Sequence, residues 1–106
     1  MTRAIVVGTD EYSIATAIAD AGHEVVRVDL ATGDTLGATD IEATDVYVLT
    51  ELDQATSIPV AKEHNPDLRV VVYADGSLPD FARRQTDLAL DPALFRPADV
   101  AAELDG

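Results

Sequence analysis

Four short β-branched runs constrain this chain more than any other feature. They are Ala4-Ile5-Val6-Val7, Val25-Val26-Arg27-Val28, Val46-Tyr47-Val48-Leu49 and Val70-Val71-Val72-Tyr73. A strand with one wet face alternates apolar with polar residues, whereas a strand covered on both faces reads as a nearly continuous apolar run. These runs are of the second kind, and Leu88-Ala89-Leu90 adds a shorter fifth. The intervals between them are long enough for helical right-handed crossovers. Strand and helix alternating in this way predict an α/β domain, a doubly wound parallel sheet flanked by helices. A chain of 106 residues supports one such domain with one modest core, so residues 1–106 are expected to form a single unit.

The helices can be placed from their punctuation. A first helix over about residues 12–21 puts Ile14, Ala15, Ile18 and Ala19 on one face, and Gly22 stops it. A second is expected over about 53–64, ending before Asn65-Pro66. Pro59 lies inside it, so the helix either kinks or restarts with Ser57 as its cap. A third should run over about 78–85, and a last one over about 97–104 with Pro97 in its first turn. Residues 31–44 are rich in Gly, Thr and Asp and read as a loop with a short helix near 35–39.

Charge sets the environment. Twenty acidic residues face seven basic ones for a net charge of −13, fourteen of the acids are Asp, and Lys62 is the only lysine. Such a chain repels itself at low salt. At about 1 M salt the Debye length falls to roughly 3 Å and most of the repulsion is screened. Many Asp, almost no Lys and abundant Ala, Thr and Val are the pattern of a halophile's protein. The acids are scattered rather than massed, which favours this reading over an acidic surface built for a basic partner. Nucleic acid is excluded as a ligand for want of a basic patch. No run of 18 apolar residues suggests a membrane span. The N-terminus reads as a strand rather than a signal peptide, and there are no cysteines for disulfides, thiol catalysis or metal ligation, so a cytoplasmic protein is expected.

The order of motifs resembles the N-terminal nucleotide-binding domain of regulators of K+ conductance, the TrkA N-terminal family. Ile5-Val6-Val7-Gly8 is similar to that family's first strand and first glycine. Ala19-Asp20-Ala21-Gly22-His23-Glu24-Val25-Val26 through Asp29 follows its path from helix end to the acid after the second strand. Leu36, Ile41-Glu42-Ala43-Thr44-Asp45-Val46, the turn at Asp53, Ala55 and Thr56, and Ala61-Lys62-Glu63 with Asn65-Pro66-Asp67-Leu68-Arg69 continue it, and Arg83-Arg84 with Asp87-Leu88-Ala89-Leu90-Asp91-Pro92 closes it. The resemblance implies a Rossmann-like regulatory domain with a nucleotide over the carboxyl ends of the strands. Gly8 and Thr9 would approach it by backbone, Asp29 would accept from a ribose hydroxyl, and Thr50 would hydrogen-bond across the crevice.

Two departures mark that nucleotide site as degenerate. The turn Gly8-Thr9-Asp10-Glu11-Tyr12-Ser13 keeps only the first glycine of G-x-G-x-x-G, and Asp10 and Glu11 stand where phosphate would approach. A carboxylate there repels an anion, and Thr9 or Asp10 serves equally as a helix cap. The family also carries a further helix and strand after its second strand, an interval crossed here in residues 30–40. Five strands in the order 2-1-3-4-5 are therefore expected, with a shallow crevice between strands 1 and 3. Gly33-Asp34 could mark where the lost strand ended.

Enzyme chemistry finds no support. His23 and His64 belong to no ligand motif, and there is no nucleophile elbow or P-loop. The expected function is non-enzymatic regulation, with a weakly held nucleotide as the conceivable cofactor and no metal. Alternatives are a protein–protein interaction module, self-associating or binding another protein, and an accessory protein of nucleotide metabolism. A degenerate phospho-acceptor receiver shares the 2-1-3-4-5 order, but Thr50 stands where its acceptor aspartate should end the third strand, and Asp91 replaces its lysine near the end of the fifth.

Overall fold

The computed structural model describes residues 2–104. The apolar runs form β1 (Arg3–Val7), β2 (Glu24–Val28), β3 (Val46–Leu49), β4 (Arg69–Tyr73) and β5 (Leu88–Leu90). They pair in parallel in the order β2-β1-β3-β4-β5, the expected arrangement. Val7 lies opposite Val28 on one side and Leu49 on the other, so the carboxyl ends of β1, β2 and β3 reach the same level.

Successive strand side chains face opposite sides of the sheet, and both sides are covered. On one side Ile5, Val7, Tyr47, Leu49, Val70 and Val72 pack beneath α2 (Gly33–Gly37), α3 (Ser57–His64) and α4 (Asp80–Arg83). On the other, Ala4, Val6, Val46, Val48, Val71 and Tyr73 pack beneath α1 (Ile14–Asp20) and α5 (Pro97–Glu103). Ile5, Val6, Val48 and Val70 are fully buried. Each such side chain is stabilising by roughly 1.5–3 kcal/mol relative to exposure. The double coverage explains why β1, β3 and β4 show no alternation.

The helix boundaries differ from expectation in instructive places. The first helix starts at Ile14 rather than near residue 12, because Asp10 and Ser13 hold φ of 56° and 57° and fold the chain into a turn. Gly22 stops α1 with φ +94°. The segment from 53 is interrupted: a 3-10 turn at Leu52–Gln54 precedes α3, which restarts at Ser57. Pro59 then falls in the first turn of α3, where an amide N–H has no helical acceptor to lose. Ser57 is the first helical residue rather than the cap. Its hydroxyl donates to the Gln54 carbonyl at 2.6 Å and accepts from the Tyr47 hydroxyl at 2.7 Å. The third helix is only Asp80–Arg83, with Pro79 before it and Leu78 tucked into the core outside it. Pro97 opens α5 as expected. The short helix in the Gly/Thr/Asp-rich loop is α2, two residues earlier than placed, with Thr32 and Thr35 forming a reciprocal capping box.

Candidate functional site

In a sheet of this order the chain leaves β1 and β3 in opposite directions, and the crevice between their carboxyl ends is the usual ligand position. Gly8, Thr9 and Thr50 meet there. Gly8 has φ +109°, and a Cβ on it would lie 2.5 Å from Thr50 Oγ1 and 2.8 Å from Glu51 Cγ. The glycine is therefore required by close packing against the chain itself. Thr50 bonds the chain's own backbone: its hydroxyl donates to the Val7 carbonyl at 2.6 Å and accepts from the Asp10 amide at 3.2 Å.

The first three amides of the turn have internal acceptors. Gly8 N–H donates to the Val28 carbonyl at 3.0 Å, Thr9 N–H to Glu51 Oε1 at 3.1 Å, and Asp10 N–H to Thr50. The buried Asp10 carboxylate takes the amides of Ile14 at 2.7 Å and Ala15 at 3.1 Å, filling the positive end of α1. The Asp10 cap is thus realised from three residues before the helix-adjacent Ser13, which has no side-chain cap bond of its own. A phosphate entering this crevice would have to displace one carboxylate and compete with another.

Asp29 is exposed, and what it contributes to the closed crevice is its carbonyl, which accepts from Gln54 Nε2 at 2.7 Å. Gln54 also donates to Glu51 Oε1 at 2.9 Å and accepts from the Ala31 amide at 2.8 Å, while Arg27 reaches the carbonyls of Gly8 and Thr9 at 3.4 Å. Glu51 and Gln54 escaped the sequence reading. The signal for them was a Glu two residues past the third strand with an amide side chain three residues on, the spacing of one helical turn. Behind them, burial pushes the Tyr47 hydroxyl up to about 12, partly offset by its hydrogen bond to Ser57.

On the far side of the same rim, Tyr12 and Tyr73 meet edge to face at 6.0 Å, and the Tyr73 hydroxyl donates to the Phe95 carbonyl at 2.6 Å. Asp75 foremost, then desolvation, Glu11 and Asp91, hold the Tyr12 hydroxyl above its ordinary range. Asp91, directly after β5, accepts from the Ala93 amide at 2.9 Å. His23 is buried at the opposite end of the sheet, where Nδ1 accepts from the Thr2 amide. Among the described residues no three His, Asp or Glu gather to hold a metal, and no helix is long and apolar enough to cross a membrane.

The chain belongs to the family of unknown function DUF7126, whose profile spans residues 4–104. No curated protein matches it. Its likeness to solved structures runs to response regulators. HP1043, an orphan response regulator of Helicobacter pylori, superposes with a TM-score of 0.74 at 14% identity, covering 98% of this chain and 93% of that one. A chain described as the pilus assembly protein cpaE of Burkholderia thailandensis gives 0.71 at 18%, covering 99% and 96%. The receiver domain of NtrC4 from Aquifex aeolicus gives 0.63 at 21%, covering 98% and 91%. At these identities the likeness defines the fold, a flavodoxin-like α/β sheet.

These neighbours correct the resemblance to the TrkA N-terminal family. Residues 30–40 hold α2 and no strand, and β2 is an edge of the sheet. Two of the pieces that carried the resemblance are a β-branched first strand ending in glycine and an acid after the second strand. A doubly wound sheet produces both wherever the chain turns closely at its switch point, whatever family it belongs to.

Proposed function

We propose that this domain is a non-enzymatic regulatory module of the receiver fold that acts through protein contact, with its switch point closed by its own side chains. The observation that carries the reading is the pairing of Glu51 with the Thr9 amide and of Asp10 with the first amides of α1. Those donors are the ones a phosphate or a nucleotide would use. Thr50 in place of an acceptor aspartate and Asp91 in place of a lysine remove the chemistry of phosphoryl acceptance as well. The response regulators among its structural neighbours support a regulatory role.

The test is thermal unfolding in about 2–3 M KCl, where the acidic charge is screened. The protein is offered NAD(H), NADP(H), ATP, ADP, AMP, CTP and cyclic dinucleotides, and separately acetyl phosphate with Mg2+ followed by intact mass. No shift and no added phosphoryl group are expected. A ligand at 100 times its dissociation constant would add roughly 2.7 kcal/mol and be plainly visible. A nucleotide shift abolished by Asp29→Ala would overturn the reading and restore a nucleotide over Gly8, Thr9, Asp29 and Thr50. A mass gain would overturn it from the other side.

A further inference from the structure

The sheet is covered unevenly on the side of α4. That helix is a single turn, Asp80–Arg83. The β5 side chain on this face is Ala89, opposite Val72 of the core, and it stays exposed. A one-turn helix beside a methyl side chain leaves space. A cavity of about 320 Å3 opens there at the carboxyl ends of β4 and β5, lined among others by Val72, Leu78 and Ala89. Gly76 in its wall packs against Leu52: a Cβ on the glycine would lie 2.7 Å from Leu52 Cδ1. The cavity is separate from the closed crevice, which lies between β1 and β3.

Two side chains of opposite charge, Arg83 and Asp91, also line it. The chain orients both. Arg83 Nη2 donates to the Leu78 carbonyl at 3.2 Å, and Asp91 Oδ1 accepts from the Ala93 amide at 2.9 Å. Asp80 comes no nearer to Arg83 Nη1 than 3.9 Å, beyond hydrogen-bond distance. A guanidinium has five N–H donors and a carboxylate has two accepting oxygens, so each group can bind a further partner. The charges select the partner. A plain anion gains Arg83 but meets Asp91, and a plain cation gains Asp91 but meets Arg83. A ligand carrying both charges satisfies both. The volume lies at the small end of ligand pockets, and a single guanidinium does not neutralise a nucleotide's phosphates.

We propose that this cavity binds a free aliphatic amino acid, with its carboxylate on Arg83, its ammonium on Asp91 and its side chain against Val72, Leu78 and Ala89. The site goes beyond the protein-contact reading and does not depend on it. An apolar body is needed to cover the lining, so glycine binds more weakly than leucine or valine. An acidic amino acid binds more weakly too, because its second carboxylate finds no second cation in the lining.

The experiment is an NMR titration of the full chain, following amide shifts, with leucine, valine, glycine, and the deaminated and decarboxylated analogues of leucine. It is run at the lowest KCl at which circular dichroism shows a folded chain, because salt screens exposed charges. Saturable shifts with leucine, centred on residues 74–78 and 89–91, are expected. Each analogue should bind roughly tenfold more weakly than leucine, the loss of one charge-assisted contact. Arg83→Gln and Asp91→Asn should each cost leucine a similar factor. The analogues decide which charge meets which: the decarboxylated one should be indifferent to Arg83→Gln, and the deaminated one should lose nothing in Asp91→Asn. Ala89→Leu fills the cavity and should abolish binding. All three positions are exposed, so each variant should keep the wild-type circular dichroism. No saturable shift with any amino acid overturns the proposal. So does leucine binding no better than its analogues, shifts centred elsewhere, or binding that survives both rim substitutions. A nucleotide shift in the unfolding assay would overturn the closed-crevice reading and leave this site standing.

Discussion

Carboxylates do opposite work at the two ends of this molecule's rim. Between β1 and β3, Asp10 and Glu51 turn onto backbone amides and close the crevice from within. Along β5 and α5, Asp99 and Glu103 stand exposed around an apolar groove in which Leu88, Leu90 and Phe95 are only partly covered by the described residues. A crevice whose donors and acceptors are satisfied has little left to offer a ligand, because a newcomer must better the bonds it replaces. An apolar groove left in water still gains by being covered. The contrast moves the search for function from the switch point, where the fold would place it, to the sheet's margin.

Gly8→Ala attacks the closed crevice most directly. A Cβ would press on Thr50 and Glu51 at a φ that L residues avoid. A loss of roughly 3–4 kcal/mol is expected in chemical unfolding. A loss below about 1 kcal/mol would mean that Thr50 and Glu51 can step aside, and that the crevice is not closed.

High pH should loosen the same region through Tyr47. Its hydroxyl supports Ser57, which bonds the carbonyl of Gln54, whose side chain holds Glu51. The folded value is raised to about 12 from 10 by burial, so the folded state keeps its proton where the unfolded state has lost it. Stability is full below pH 10 and falls as pH climbs from 10 to about 12, by about 2–3 kcal/mol at the upper end. Tyr12 and Tyr73 are also raised and act in the same direction, so the comparison is with Tyr47→Phe, which should flatten the larger part of the slope. An unchanged slope in the variant would remove Tyr47 from the account.

The cap comes next in size. Asp10→Ala strips two buried amides of their acceptor and should cost about 1–2 kcal/mol. Asp10→Asn keeps an acceptor and tolerates φ 56°, so it should recover much of the loss. Equal losses in both would place the effect in the carboxylate's charge at the helix end rather than in the bonds.

The sheet was legible in the sequence because burial on both faces writes itself as unbroken β-branched runs. Strand order followed from the brevity of residues 30–40, too short for another helix and strand. What could not be read was set by tertiary contact. Asp10 and Ser13 take left-handed conformations that shorten α1, and no local preference requires both. The closing of the crevice depends on Glu51 reaching an amide 42 residues away. A sequence pattern records which groups are able to bind phosphate, and cannot record that the chain's own carboxylate arrives there first. The family resemblance failed for the same reason, since it rested on segments any sheet of this type shares.

The smallest expected effect bears on the open side of the comparison. Leu94 is 77% exposed in the β5–α5 loop. A side chain that stays in water contributes little to folding, so Leu94→Ser should change the unfolding free energy of the isolated domain by less than about 0.5 kcal/mol. Its neighbour Phe95 makes a useful contrast, because its carbonyl anchors the Tyr73 hydroxyl and ties the loop to the sheet. If Leu94→Ser costs more than about 1 kcal/mol, the loop packs onto its own chain in solution. The margin is then as closed as the switch point, and the difference between the two regions disappears. If stability is unchanged in dilute protein but falls relative to wild type as concentration rises, Leu94 gains its burial from another molecule, since only association makes apparent stability depend on concentration.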